Sequence, residues 1–422
     1  MMKKITAVFG VLLFASLATY AQPPTATGPS APPSNPTALE TLIESEQERA
    51  PAAAAPGTTA PAITTPAGAA DTGSPTAGTL KIVDWNVWMG TDGKGYVKMG
   101  DLEDVPTREL RYQLQLDEFK KLDADIIFLQ ELSPVFKRAD HLATELGRQV
   151  IAQGDNCGIR IGNTGVPTNL QMGVAILAKP SLKLRRLQFE KEKGRLNPGQ
   201  LPGFQWGFCH RWGSFQLTER RVYVAGSIEW QGQQIWVMNT HYTSGLGACT
   251  PGNNQHCKLL DQWMTTGSLN LDQRVQIEKQ LQQADEKRTQ ASEYLMSLVP
   301  EHQPVILGGD FNANPNDKAI QHILQAKFKD TTQTIPPTWS PSQNPSIQEQ
   351  LIRRKEVLGS RLTPLEQLGL ETDRTDNKID YIFTRDLPGT VHVSSSRAVF
   401  NQPIQEHWLS DHFGVEVVLQ KQ

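Results

Sequence analysis

The chain has little to hold a metal by sulfur, little net charge and little that could span a membrane. Only four cysteines occur in 422 residues, and no two form a Cys-x-x-Cys pair, which disfavours a structural zinc site. Basic and acidic side chains nearly cancel, 41 against 44, which argues against a nucleic-acid binder that works mainly through a large basic field. Beyond the N-terminus no run of 18 apolar residues occurs, so a polytopic membrane protein is excluded as well.

The N-terminus reads as an address. Met1 to Lys4 is a short cationic start, residues 5–18 are apolar, and Thr19-Tyr20-Ala21 offers small residues for cleavage. This is the layout of a secretory signal peptide over 1–21; the alternative is an uncleaved N-terminal anchor. Residues 22–79 hold 11 of the 28 prolines, with Ala, Thr, Ser and Gly making up most of the rest. Such a segment has too little apolar surface to offset its ordering entropy and reads as a disordered linker, interrupted by a weak helical patch at Ala38 to Arg49. The remaining 80–422 carry 38 basic and 39 acidic residues. Export makes an even set of cysteines legible as two disulfides. Cys249 and Cys257, eight apart in a Gly/Asn/Pro-rich loop, pair with each other, which leaves Cys157 for Cys209; the alternative is four unpaired thiols. The expected location is secreted or periplasmic, with no transmembrane domain and no obligate protein partner evident.

Strands and helices alternate through 80–422. Continuous apolar or alternating runs predict strands at Leu80–Trp88, Asp125–Leu129, Val174–Ala178, Val305–Leu307, Ile379–Phe383 and Phe413–Leu419. Arg221–Glu229 and Gln234–Asn239 flank Gln231-Gly232 as a hairpin. Helical spacing covers Thr107–Leu122 and Leu271–Val299, and Asn314-Pro315 reads as the N-cap of a helix at Lys318–Leu324. Mixed sheets covered by helices follow. Three loop-rich stretches, 181–220, 243–270 and 331–376, are long enough to expect function in them.

The informative residues are polar ones that terminate apolar strands. They are Asn86, Glu131 after DIIFLQ, Asn239 and His241 in IWVMNTH, Asp310 and Asn312 in VILGGDFN, Asp380 in IDYIF, and Asp411-His412 in LSDHFG. One such residue is usually a turn former or a cap. Several on separate strands point to a site, because strand ends are where a rigid scaffold presents chemistry. Carboxylates and amides suit a hard cation, Mg²⁺, Mn²⁺ or Ca²⁺. Two histidines beside such a cation suit general base and general acid at phosphorus, and Asp380 would fix one imidazole's tautomer.

The ordered set WNVW, LQE, NTH, GDFN, IDYIF and SDH resembles the endonuclease/exonuclease/phosphatase superfamily, which includes pancreatic-type deoxyribonucleases, abasic-site endonucleases, bacterial sphingomyelinases and inositol-phosphate phosphatases. The resemblance spans 80–422 as one catalytic domain. It implies an α/β four-layer sandwich, two mixed β-sheets flanked by helices, with the site at one edge. It implies metal binding by Glu131, Asn86 and Asp411, water activation by His412 oriented by Asp380, and a leaving oxygen met by His241. Asp310 and Asn312 would bind phosphate and position the nucleophile. The family is not uniform in which imidazole is acid and which is base. The expected activity is that of a secreted metal-dependent phosphodiesterase, endonuclease-like, on a nucleic acid. A sphingomyelinase-like enzyme acting on phospholipid headgroups and a catalytically inactive binding module on the same fold are the alternatives. Loop-borne Trp206, Phe208 and Trp212, together with Trp263 and Trp339, are candidates for stacking or for core. Lys94, Tyr96 and Lys98, and the basic runs Lys183–Arg186, Lys191–Arg195 and Arg353–Lys355, are candidates for substrate contact or for plain surface.

Overall fold

The computed structural model describes residues 78–89, 103–161, 164–166, 171–193, 199–202, 207–211, 213–216, 220–249 and 255–422. All lie in one compact unit, 69–422. The leader, almost all of the linker with its helical patch, Lys94, Tyr96, Lys98, Trp206 and Trp212 lie outside the described residues. In chain order the elements are β1 (Thr79–Asn86), α1 (Val105–Leu122), β2 (Ile126–Leu132), α2 (Val135–Leu146), β3 (Gln149–Gly154), β4 (Ile159–Ile161), β5 (Thr164–Val166) and β6 (Gly173–Ala178). There follow β7 (Arg185–Arg186), β8 (Gly207–Cys209), β9 (Gly213–Gln216), β10 (Tyr223–Trp230), β11 (Gln233–His241), α3 (Gln255–Thr265), α4 (Leu271–Leu298), β12 (Val305–Asp310), α5 (Lys318–Gln325) and β13 (Lys329–Asp330). The last are α6 (Pro345–Leu358), α7 (Pro364–Thr372), β14 (Asp380–Arg385), β15 (Val391–Val399) and β16 (Gly414–Lys421).

Two six-stranded mixed sheets result, ordered β15-β16-β1-β2-β6-β3 and β13-β14-β12-β11-β10-β7. Each has one parallel pair near its centre, β1 with β2 and β11 with β12, and its other pairings are antiparallel. The two-residue period of a strand assigns the layers. Leu80, Ile82, Ile126, Phe128, Ile235, Val237, Ile306 and Ile382 meet between the sheets. The residues between them in sequence, such as Val83, Trp85, Ile127 and Leu129, pack outward under α1 and α2. On the other side Met238, Val305, Leu307, Tyr381 and Phe383 pack under α4 and α5. The order helix, sheet, sheet, helix is the four-layer sandwich that the motifs imply.

The sheets approach closely where β12 faces β2. A Cβ added to Gly308 would stand 2.3 Å from Phe128 Cδ2. Gly308→Ala is therefore expected to destabilise the fold by about 1–3 kcal/mol through overpacking, measured as a lower denaturation midpoint with an unchanged slope. Normal stability in that variant would contradict the close approach.

The predicted strands and the hairpin are present, with Gln231 and Gly232 at φ 54° and 75° as its tight turn requires. One cap is corrected. The N-cap of α5 is Asp317, and Asn314 instead donates its backbone N–H to the Asp317 carboxylate at 2.7 Å. The loop-rich stretches hold elements that sequence reading passed over. α3 lies in 243–270, α6 and α7 lie in 331–376, and a small sheet β5-β4-β9-β8 draws strands from 181–220 and from 159–166 just before it. Both expected disulfides form, Cys157–Cys209 and Cys249–Cys257, with Cα separations of 5.8 and 5.7 Å. Trp263 is partly buried against the α3–α4 cluster, as core rather than platform. No helix among the described residues is long and apolar enough to cross a membrane.

Candidate active site

The same two-residue period that fills the inter-sheet core carries polar residues to its edge. Asp84 and Asn86 continue the inward face of β1, Gln130 that of β2, Asn239 and His241 that of β11, Asp310 that of β12, and Asp380 opens β14 on that face. The parallel pairs β1–β2 and β11–β12 end at this edge, so side chains from both sheets converge.

A buried network closes the floor. Gln130 Nε2 donates to Asp84 Oδ1 at 2.8 Å and to Asn239 Oδ1 at 2.7 Å. Asn239 Nδ2 in turn donates to the carbonyls of Leu129 and Ala175 in the facing sheet. Asn239 is thus a bridge between sheets beneath the site.

Above it the reactive groups interlock. Asn86 Nδ2 donates to Asp310 Oδ2 at 3.0 Å, and the Asn312 N–H donates to Asp310 Oδ1 at 2.8 Å. Asn312 holds φ 47°, which asparagine tolerates, and its amide donates to the Tyr242 carbonyl beside His241. His241 Nε2 lies 3.6 Å from Asp310 Oδ2 and 3.9 Å from Glu131 Oε1. His412 Nδ1 donates to Asp380 Oδ2 at 2.9 Å, and its Nε2 lies 3.9 Å from Asp310 Oδ2. Ser410 Oγ donates to the Asn86 carbonyl at 2.6 Å and stands 3.3 Å from Asp411 Oδ1, which places Asp411 at the end of β1. Glu131 sits at φ 56° where the β2–β6 register shifts. The Met89 N–H donates to its Oε2 at 3.2 Å, and its side chain keeps 21% exposure, against 2% for Asp310 and 0% for Asp380. Of the nine residues singled out by sequence, Asn86, Glu131, His241, Asp310, Asn312, Asp380, Asp411 and His412 are therefore brought to one edge, and Asn239 lies beneath them.

Electrostatics separates the two imidazoles. Burial would depress His412, but Asp380, then Asp310 and Asp411, hold it well above the usual histidine range. Burial, Arg221 and His412 all push His241 well below that range. Burial and the Asp380 charge push the Asp310 carboxyl up to about 7. Burial and the same neighbour raise Asp84 as well. Three carboxylates thus crowd a desolvated space, and Asp84 Oδ2 and Asp380 Oδ1 find no hydrogen-bond partner among the described residues. This anion-rich, oxygen-donor set fits a hard divalent cation. Ligand atoms of Asp310, Asp380 and His412 lie within 4.8 Å of one another, but this trio is buried and already closed by the His412–Asp380 bond. Glu131 is the carboxylate facing outward.

Two site residues were not legible as such. Asp155 follows β3, a strand with no strong apolar signal, and Arg221 precedes β10; both lie against His241. Trp339, half-buried, packs its indole edge-to-face on His412 with centroids 5.4 Å apart and donates Nε1–H to the Asp373 carbonyl. Its place beside the imidazole comes from a loop pairing with Asn377 and His412 that only the fold creates.

Similar folds occur among solved structures. A humanized TDP2 from D. rerio is 15% identical, aligned over 81% of this chain and 99% of that one, with a TM-score of 0.46. The human Nocturnin catalytic domain is 14% identical over 82% and 96%, with a TM-score of 0.44. An endonuclease/exonuclease/phosphatase family protein from Bacteroides thetaiotaomicron is 13% identical over 82% and 95%, with a TM-score of 0.47. No curated protein matches the chain in sequence. The sequence profile of the Endonuclease/Exonuclease/phosphatase family, a family of phosphoesterases, matches residues 85–412, the interval that carries all the strand-end residues described above except Asp84, and the chain belongs to that family.

Proposed function

We propose that the protein is an exported, divalent-cation-dependent phosphodiesterase that hydrolyses a phosphodiester by attack of water, with a nucleic acid as the substrate class. What supports this reading above all is the convergence at one edge of two differently wired imidazoles and a set of oxygen donors. Glu131, Asn86 and Asp411 would hold the cation, whose charge would neutralise a non-bridging phosphate oxygen. Asp380 accepts the Nδ1 proton of His412, so that Nε2 is the nitrogen available to take a proton from water. The surrounding carboxylates favour the imidazolium of His412; balancing their charge returns the ring to the form that accepts a proton. Asn312 and Asp310 border the same space and would position phosphate and nucleophile, and His241 would meet the leaving oxygen from the facing sheet. The two disulfides support an oxidising destination.

Hydrolysis of single- and double-stranded DNA, RNA, sphingomyelin and bis(p-nitrophenyl) phosphate, with Mg²⁺ and with EDTA, tests this. Activity on nucleic acid and the synthetic diester is expected, lost on chelation and restored by Mg²⁺. Glu131→Gln should raise the Mg²⁺ concentration needed for half-maximal rate by tenfold or more, about 1.4 kcal/mol of binding. Activity that survives EDTA, or cleavage confined to sphingomyelin, would overturn the proposal.

A further inference from the structure

Arg221 and Asp155 take no part in the chemistry above, yet they stand against one of its histidines. Asp155 follows β3 and Arg221 precedes β10; they are 0% and 7% exposed. Arg221 Nη1 stands 3.3 Å from His241 Nδ1 and 3.5 Å from Asp155 Oδ2, and Nη2 donates to Ser244 Oγ at 3.3 Å. Asp155 Oδ2 lies 3.9 Å from His241 Nδ1, beyond hydrogen-bond reach. A guanidinium has five donors and no acceptor, so in the Arg221–His241 contact the ring nitrogen must accept. With Nδ1 accepting, the proton of a neutral imidazole is on Nε2. That nitrogen is the one turned to Asp310 and Glu131, where substrate would lie.

We propose that Arg221 is a positioning residue that fixes His241 as the neutral Nε2–H tautomer, so that His241 meets a substrate oxygen as a hydrogen-bond donor and not as an acid. Asp155 keeps the buried guanidinium electrically balanced and in place. The wiring is the reverse of that at His412, whose Nδ1 faces a carboxylate and is the donor. It divides labour between the rings. His412 takes the proton of the attacking water, and the leaving oxygen departs as an anion held by the His241 Nε2–H and takes its proton from solvent. His241 keeps its own, because giving it up would leave an imidazolate beside two carboxylates. The proposal rests on the phosphodiesterase reading of this edge, and it supplies the acid–base division that the strand-end motifs leave open.

The decisive measurement is the tautomer of His241 in the full chain labelled with ¹⁵N-histidine, at pH 7.5 in Mg²⁺. The signal is assigned by its loss in His241→Gln. A proton on Nε2 with a bare Nδ1 is expected; a proton on Nδ1, or on both nitrogens, would overturn the proposal whether or not any substrate is cleaved. Arg221→Met should release the constraint and give mixed tautomers, whereas an unchanged pure Nε2–H form would remove Arg221 from the role. On bis(p-nitrophenyl) phosphate, His241→Gln retains a donor and should stay within about tenfold of the parent. His241→Ala should lose on the order of 10²–10³, the usual cost of one transition-state donor. Equal loss in both would restore the acid role and overturn the proposal. A parent chain that cleaves no diester would sink the phosphodiesterase reading and leave the tautomer to stand or fall on the spectrum.

Discussion

Replacing Asp380 with asparagine is expected to lower turnover of a phosphodiester by on the order of 10²–10⁴, about as much as replacing His412 with alanine. The carboxylate accepts the Nδ1 proton of His412 at 2.9 Å, which fixes the ring with Nε2 as its base and stabilises the imidazolium formed when water gives up its proton. An amide at position 380 can present its NH₂ to Nδ1 instead, which would move the ring proton to Nε2 and remove the base. Because the pair acts as one unit, the double variant should be little worse than either single one. The fold should survive, since Ile382, the next inward residue of β14, stays packed in the core and the Asp380 backbone N–H is held by Thr338 Oγ1. The loss should fall on kcat with KM little changed, measured on bis(p-nitrophenyl) phosphate under saturating Mg²⁺. Full activity in either variant would remove the dyad from the chemistry.

Asp310→Asn should change activity and stability in opposite directions. Activity falls because Asp310 joins Asn86, Asn312 and both imidazoles. Stability in EDTA should rise, because the folded state holds this carboxyl up to about 7 by burial and by the neighbouring Asp380. Between its ordinary range near 4 and 7 the folded chain binds more protons at this group than the unfolded chain does. Its contribution to stability is therefore intact at pH 4, is lost as pH rises through 7, and at pH 8 amounts to a penalty of at most about 4 kcal/mol. The variant should match the parent at pH 4–5 and exceed it at pH 8, read as denaturation midpoints in EDTA. A variant equally or less stable at pH 8 would show that the carboxylates are not in conflict. Functional sites commonly carry such a cost, and the site's cation would remove it.

The strands β1, β2, β11, β12 and β14 were legible as apolar runs and the four layers were implied by the family resemblance; in the structure the alternation of these strands cannot slip by one residue without turning Ile82, Phe128 or Val237 out of the core. The same alternation explains why the strand-end residues were legible as a set. Asn86, His241, Asp310 and Asp380 occupy positions where a further apolar residue would fit the pattern, and a buried polar group at such a place needs a purpose. β15 was not legible, since it is an edge strand, VHVSSSRAV, with half its residues exposed and no apolar alternation to display. α6 was hidden by its first-turn proline and by the small share of its surface that is buried, and α7 by its first-turn proline and its length of 9 residues. The cap of α5 was misplaced because Asn314 and Asp317 are both good capping residues, and the hydrogen bond between them decides which enters the helix.

Sequence alone determined the chemical inventory: hard oxygen donors, two imidazoles and paired cysteines on a strand-and-helix scaffold in the order the family requires. It could do so because residue type and the two-residue period are local properties. Tertiary structure alone decided how the imidazoles differ. Asp380 meets His412 from 32 residues away in sequence, and Arg221 and Asp155 meet His241 from 20 and 86 away. Which charge a ring nitrogen faces depends on how two sheets are laid against each other, and no periodicity along one chain segment contains that.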